Sequence, residues 1–427
     1  MLDSAMQTQI RQICQDIESR IKAKHISCFS DADKPLFMIS DQYPGVWLEH
    51  VYDSILYAKL FPGNHALAIN TIDLFLDYQQ EDGHLPYCIT KPDYAAGKEP
   101  VSGPKLGNVR YTQIQECLSF GQLCLEVYHM TQDQSLLQKA YDKIGKWFDW
   151  LTNNRMTMHT GLIEMFVGYD TGHDNSGRLE GISCPRNYVK DGVRMDAAVL
   201  PEDDVVPILA VDMNANYYGT ARSLAEMAEL LGYDQESAAW SAQAAFIKQK
   251  LLEYCFNKED CFFYDVDKHG KHRKYLSSTI FHLFMERVLD PAKDKALIED
   301  IYRKHIKNPD EFWTPYPFPS MAISDPSYRK HTESNCWGYY SQGLIALRCI
   351  RWMDAYGMSE DFDILCEKWL SAWTKCYDTF HLGQELDPIT GEPSASSEWY
   401  SSCMLFYTYA ARRLGIVDGP CPAYGLL

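Results

Sequence analysis

"VDMNANYYGTARSLAEMAELLGYDQESAAWSAQAAFIKQKLLEY", residues 211–254, decides the fold. Apolar residues recur in it at spacings of three and four, which buries one face of a helix. The run is broken at "LGYD", 231–234. Two helices joined by so short a turn pack antiparallel, as a hairpin. Outward from this pair, the same periodicity appears near 3–24, 46–61, 64–80, 111–130 and 133–153, and again near 276–289, 293–305, 333–356, 359–377 and 397–414. With 211–231 and 234–255, these segments predict twelve helices.

The connections between the helices alternate in length. "FPGN" at 61–64, "MTQDQ" at 130–134, "LDPAK" at 289–293 and "YGMSED" at 356–361 are tight turns like the first. Between them lie long links, the longest at 154–210. Short links close hairpins, so the long ones all emerge at one end. Six hairpins closed into a ring explain the pattern: an all-α (α/α)6 barrel with long loops rimming one mouth, where function is to be sought. "GLIEMFVG" (161–168) and "CFFYDVD" (261–267) are expected as small hairpins within the loops. No linker rich in Pro, Gly or Ser divides the chain, so residues 1–427 are read as one domain.

A formal net charge of −18 argues against nucleic acid or an anionic membrane as partner, since both require a basic face. The N-terminal "MLDSAMQTQIRQICQDIESRIKAKH" is amphipathic helix rather than a signal peptide. The fourteen cysteines are scattered without a CxxC pair, which points to reduced thiols, a cytoplasmic location and no zinc site. "GYDTGHDNSGRLEG", 168–181, lacks the spacing of a calcium loop, and "GPKLGNVR", 103–110, lacks that of a phosphate loop. Neither metal nor cofactor is expected, and the oligomeric state is open.

The long loops and the turns after them carry a particular chemistry. "PGVWLEHVYDS" offers Trp47, Glu49, Tyr52 and Asp53, and "VRYTQIQE" offers Arg110, Gln113 and Gln115. The third loop holds Asp170, His173, Asp174, Asn175 and Arg178, and ends at Asp212, Asn214 and Tyr218. Trp313, Tyr316, His331 and Trp337 follow, then Glu385, Asp387, Glu392, Glu398 and Trp399. Aromatic faces beside carboxylates, amides and arginines suit a pyranose ring and its hydroxyls. Two carboxylates from separate loops could bracket a glycosidic bond, one as acid and one as base. The expected partner is a small carbohydrate.

The chain resembles the six-hairpin glycosidases of glycoside hydrolase family 63 and the related trehalases of family 37. "HVYDSILYAKLF" (50–61) is similar to their "WDS" segment, with Tyr52 in place of tryptophan and Asp53 and Ser54 kept. "YTQIQECLSFGQ" (111–122), "FWTPYPFPSMA" (312–322) and "LDPITGEP" (386–393) also resemble family segments. "GHDNSGR" (172–178) is similar to "WDNSPR", with His173 and Gly177 departing from that pattern. The resemblance implies that Asp174 is the general acid, and that the base is a glutamate just before "DPxTG". Glu385 lies there, with Glu392 and Glu398 as rivals. Arg178 then orders the acid's loop or binds a hydroxyl. The implied activity is that of an inverting, exo-acting α-glycosidase on a small α-glucoside, α-mannoside or glycosyl-glycerate, with Arg110, Arg178 or Arg186 available to a glycerate carboxylate. Two other readings stay open: a sugar epimerase of the N-acylglucosamine type using His282, His331 or His381, and a sugar-binding protein without catalysis.

Overall fold

The computed structural model describes residues 2–28, 34–91, 108–111, 113–173, 175–181, 189–190, 193–194, 205–330 and 337–422. Its helices are α1 (Ser4–Arg20), α2 (Val51–Leu60), α3 (His65–Asp77), α4 (Phe120–Thr131), α5 (Gln134–Asn154) and α6 (Val211–Leu230). They continue as α7 (Asp234–Tyr254), α8 (Ile280–Met285), α9 (Lys295–Ile301), α10 (Gly343–Arg348), α11 (Ser359–Cys376) and α12 (Ser401–Arg413).

Even- and odd-numbered helices differ in burial. Almost every residue of α6 is buried, whereas α7 buries only Ala244, Ile247 and Leu251. A helix apolar all round belongs inside, and one with a single apolar stripe belongs outside. The inner helices follow one another in space: α2 packs on α4, α4 on α6 and α6 on α8, while α10 packs on α12 and α12 returns to α2. Between α8 and α10, Phe281 and Phe284 meet Trp352 at ring-centroid distances of 6.0 and 5.1 Å. Each of α2, α4, α6 and α12 also pairs with a sequence neighbour, α2 with α3, α4 with α5, α6 with α7 and α12 with α11. This is the ring of hairpins that the alternation of links predicts.

Local chemistry sets the hairpin ends. Ser119 caps α4 by accepting the Gln122 N–H, and Gln132 closes that helix in the left-handed region at φ 57°. Asp133 then caps α5 by accepting from Ser135 and Leu136. The α4–α6 approach is tight, because a Cβ on Gly219 would lie 2.9 Å from the Ser119 Cβ. No helix among the described residues is long and apolar enough to cross a membrane.

The fourth and tenth helices are shorter than their periodicity predicts. An antiparallel sheet (Gly45–Trp47, Cys88–Thr90, Asn108–Arg110) ends just before this segment, and residues 113–119 form an irregular stretch in which Gln115 has φ 46°. Ahead of α10, Ser341–Gln342 pairs with Glu385–Leu386. In both places apolar spacing that mimics a helix serves the mouth instead. The expected hairpin at 261–267 takes the form of Phe262–Phe263 paired with Phe256–Asn257 and Asp265–Val266 paired with His272–Arg273, whereas 161–168 forms no hairpin of its own and instead bridges Met165 to Ile208.

Candidate active site

The inner helices α2, α10 and α12 begin at one end of the ring, and a small cavity of about 70 Å³ opens there. Among the described residues, its walls come from five of the six long connections, 255–279 being the exception. Ile39, Tyr43, Trp47, Glu49 and His50 come from the first, Gln115 from the second and Gly172 from the third. Trp337, Gln384 and Tyr400 come from the later ones, with Leu344 on α10. The aromatic groups form a connected wall: Tyr43 meets Trp47 edge-on at 5.7 Å and Tyr400 at 6.5 Å.

Glu49 is the carboxylate that lines this cavity among the described residues. It sits in a short 3-10 turn, Leu48–His50, that leads into α2, and its side chain keeps 15% exposure. One oxygen lies 3.3 Å from His50 Nδ1, and the other accepts a long contact from Cys117 Sγ at 3.7 Å. His50 Nε2 in turn meets the Tyr400 hydroxyl. Arg348 donates to the Glu49 carbonyl at 3.0 Å and so holds the turn in place.

The third loop is fastened at both ends by polar residues that its sequence makes conspicuous. Asp170, fully buried, accepts from the N–H groups of Ile114, Phe166 and Val167 at 3.3, 3.0 and 3.2 Å, with Arg155 3.7 Å away. Arg178 donates to both oxygens of Asp212, at 3.3 and 2.6 Å, and to Asp265 at 2.8 Å. Burial, with Asp265 beside it, pushes the Asp212 carboxyl up despite that arginine. Between these staples His173 stacks on Trp337, with centroids 4.1 Å apart and planes 8° from parallel. Gly172 has φ 73°, and a Cβ there would lie 2.6 Å from Cys117 Sγ and 2.8 Å from Glu49 Oε2. Glycine is required on both counts. Asp174, the expected proton donor, lies outside the described residues, between His173 and an Asn175 held at φ 56°.

Glu385 is fully buried and does not line the cavity. Its two oxygens accept from Gln342 Nε2 at 2.6 Å and Ser394 Oγ at 2.7 Å. Its neighbour Gln384 faces the cavity instead. Successive side chains leave a strand on opposite faces, so the shift of one residue reverses the direction.

Trp47, Gln115 and Trp337 are the expected substrate contacts that line the cavity. The others lie elsewhere. Tyr52 is buried on α2 beneath the Arg351 guanidinium, 5.2 Å from its ring centre, and Asp53 accepts from Ser401 and from Ser402 (2.8 Å) at the start of α12. Gln113 is buried away from the lining. Asn214 is spent on Ile163 and Ala210, and Tyr218 lines an outer groove with Arg222 and Lys248. Trp313 lies under Lys307, 4.1 Å from its ring centre, and Tyr316 packs on Gly391. Glu398 is 3.6 Å from His381, on which Trp399 stacks at 4.8 Å. Glu392, the other rival for the base, is exposed.

One cluster has the composition of a metal site. Ligand atoms of His173, Asp212 and His282 all lie within 4.8 Å of one another. Burial, and then the charges of Arg178 and Arg348, hold both imidazoles well below their usual range. Arg178 grips both Asp212 oxygens, which places a guanidinium charge beside the cluster.

The sequence profile of the mannosylglycerate hydrolase MGH1-like glycoside hydrolase domain matches residues 53–398. Among solved structures, the chain is similar to the GH63 mannosylglycerate hydrolase of Thermus thermophilus in complex with glucose, with TM-score 0.68 and 16% identity over 93% of this chain and 100% of that one. It is also similar to the neutral trehalase Nth1 of Saccharomyces cerevisiae, with TM-score 0.64 and 14% identity over 95% of this chain and 82% of that one. An uncharacterized protein of Borreliella burgdorferi is 20% identical over 214 residues, which is 50% of this chain but only 37% of that protein's length.

Proposed function

Since the chain belongs to the family of the mannosylglycerate hydrolase MGH1-like glycoside hydrolase domain, we propose that it is an inverting, exo-acting α-glycosidase whose substrate is a small α-glucoside, α-mannoside or glycosyl-glycerate. The cavity carries this reading. Its indole and phenol faces suit the apolar side of one hexose ring, and Glu49, Gln115 and Gln384 suit the hydroxyls. Asp174 is the proposed proton donor, on a loop whose two ends are fixed by Asp170 and Arg178.

Of the three arginines considered for a glycerate carboxylate, Arg178 is committed to Asp212 and Asp265, and Arg186 lies outside the described residues. Arg110, buried at the end of the strand Asn108–Arg110, is the proposed one. A cytoplasmic location accords with the free cysteines, of which buried Cys117 and Cys403 have thiols raised by desolvation.

The test is sugar release from α-linked disaccharides, glucosylglycerate, mannosylglycerate and aryl α-glycosides, with the first-formed anomer read by NMR. Cleavage of one substrate with inversion, lost by at least ~10²-fold in Asp174→Asn, is the expected result. An isomer formed without hydrolysis would replace this reading with the epimerase.

A further inference from the structure

A second cavity, of about 20 Å³, lies among the inner helices, and none of its described lining residues belongs to the cavity at the mouth. Gln122 of α4 and Arg222 and Glu226 of α6 form part of its wall, with Arg287 two residues past α8. Arg351, at the end of the 3-10 turn Cys349–Arg351 after α10, faces it as well. Three arginines therefore meet one carboxylate, Glu226, which itself lies 2.9 Å from His129 Nε2. We propose that this cavity is a binding site for one small monovalent anion of the chemistry of chloride, which ties four inner helices together.

Size selects the class of anion. A cavity needs roughly 10–15 Å³ to hold one water-sized body, so this one admits a single monatomic ion and is too small for a phosphate or sulfate with its four oxygens. Charge selects the sign. Arg287 and Arg351 are buried and Arg222 is half-buried, and like charges repel more strongly away from water. Burial, and then the charge of Arg351 with Arg222 adding to it, lower the Arg287 guanidinium from its ordinary value. Glu126 accepts from Arg351, but also from Lys59 at 2.8 Å, so its one charge answers two cations. Burial raises the Glu126 carboxyl, yet those two cations hold it down at about 2.

Placement on the helices agrees. The negative ends of α8 and α10 favour a cation after each, which accounts for Arg287 and Arg351 singly. Arg222 is in the middle of α6, where no helix end calls for it, and it converges on the same cavity. Arg287 is held in the left-handed region at φ 57°, at a helix end where Gly or Asn is the usual residue. Its head group, not its backbone, suits the position. Arg222 also lines the outer groove beside Tyr218 and Lys248, which marks the route by which an ion from solvent enters.

The experiment follows thermal unfolding of the full chain in sodium chloride, bromide, sulfate and gluconate at one ionic strength, for wild type, Arg287→Asn and Arg222→Gln. Asn tolerates the left-handed backbone, and the half-buried Arg222 position guards against a folding defect in the first variant. The wild-type midpoint is expected to rise saturably, by ~2 °C or more, in chloride and bromide relative to gluconate. Each variant is expected to bind chloride at least ~10-fold more weakly, and comparing it with wild type cancels general salt effects. Crystals grown in bromide are expected to show an anomalous peak bounded by Arg222, Arg287 and Arg351. The proposal is overturned if chloride and gluconate give equal midpoints, if the chloride response survives in both variants, or if no bromide peak lies in the cavity. A wild-type response to sulfate that exceeds the response to chloride and is lost in the variants would assign the arginines to a larger oxyanion, and would equally overturn it.

Discussion

Gln384 and Glu385 are consecutive, yet they face opposite ways: the amide of Gln384 lines the cavity at the barrel mouth, and the carboxylate of Glu385 is buried between Gln342 and Ser394. The pairing of Ser341–Gln342 with Glu385–Leu386 sets this orientation, because it places Gln342 directly opposite Glu385. Glu385 therefore joins two loops of the mouth as a hydrogen-bond acceptor.

Replacing Glu385 by Ala should thus act on stability first. The change strands the Gln342 amide and the Ser394 hydroxyl in a buried site, and each buried donor left unpaired costs ~1–3 kcal/mol. Chemical denaturation is expected to show a loss of roughly 2–4 kcal/mol in total. An unchanged midpoint would contradict the structural role given to this residue.

Gly172→Ala is expected to damage the site more than the fold. The new methyl would press on Cys117 Sγ and on the Glu49 carboxylate, and the backbone there is left-handed. Strain of ~1–2 kcal/mol should lower the thermal midpoint modestly, while displacement of Glu49 lowers kcat by at least ~10-fold. Equal and small effects on both would mean that Glu49 moves freely without consequence.

The hairpins were legible in the sequence because a buried helical face imposes a spacing of three and four, and because short turns carry Gly, Asp and Pro in recognisable places. The site was legible only in part. Trp47, Gln115 and Trp337 could be named because aromatic and amide groups stand out in loops, but Tyr52 and Asp53 occupy the first turn of an inner helix that is buried on every side. No period tells a helix start facing the mouth from one facing the next helix. The Gln384–Glu385 alternation depends on a two-residue strand, too short for any sequence pattern to register. His50 and Tyr400 were missed because their meaning lies in a contact across 350 positions.

Arg178→Met should destabilise the protein in a pH-dependent way. The guanidinium neutralises Asp212 and Asp265 in a site where all three side chains are nearly inaccessible. Removing one partner of a buried ionic cluster typically costs ~3–5 kcal/mol. Without the arginine the buried Asp212 carboxyl, already pushed up by desolvation, favours protonation further, so the loss should be smaller near pH 5 than near pH 8. Equal destabilisation by Arg178→Met at both values would show that lost packing, not uncompensated charge, dominates. Glycosidase activity should fall as well, since the C-terminal staple of the Asp174 loop is gone.

Wild-type stability should itself decline as pH rises from 5 to 8, because two carboxyls, Glu116 just ahead of α4 and Glu286 just past α8, are buried without an ion-pair partner among the described residues. Desolvation pushes Glu286 from 4.5 up to about 7 and Glu116 from 4.5 up to about 8. Glu286 Oε1 accepts the Ser119 N–H at 2.8 Å, while Oε2, against Gly219, has no hydrogen-bond partner among the described residues. A group whose pKa is raised in the folded state binds its proton more tightly there than in the unfolded chain. Its stabilising contribution is complete below about 4.5 and is lost progressively as pH climbs through 7 for Glu286 and 8 for Glu116. Glu286→Gln preserves an acceptor for Ser119 and removes the titration. At ~1.4 kcal/mol per pH unit, this variant should match wild type near pH 5 and exceed it by roughly 1–3 kcal/mol at pH 8, with a flatter profile of unfolding midpoint against pH. Parallel profiles for the two proteins would place the Glu286 proton elsewhere and leave Glu116 to account for the slope.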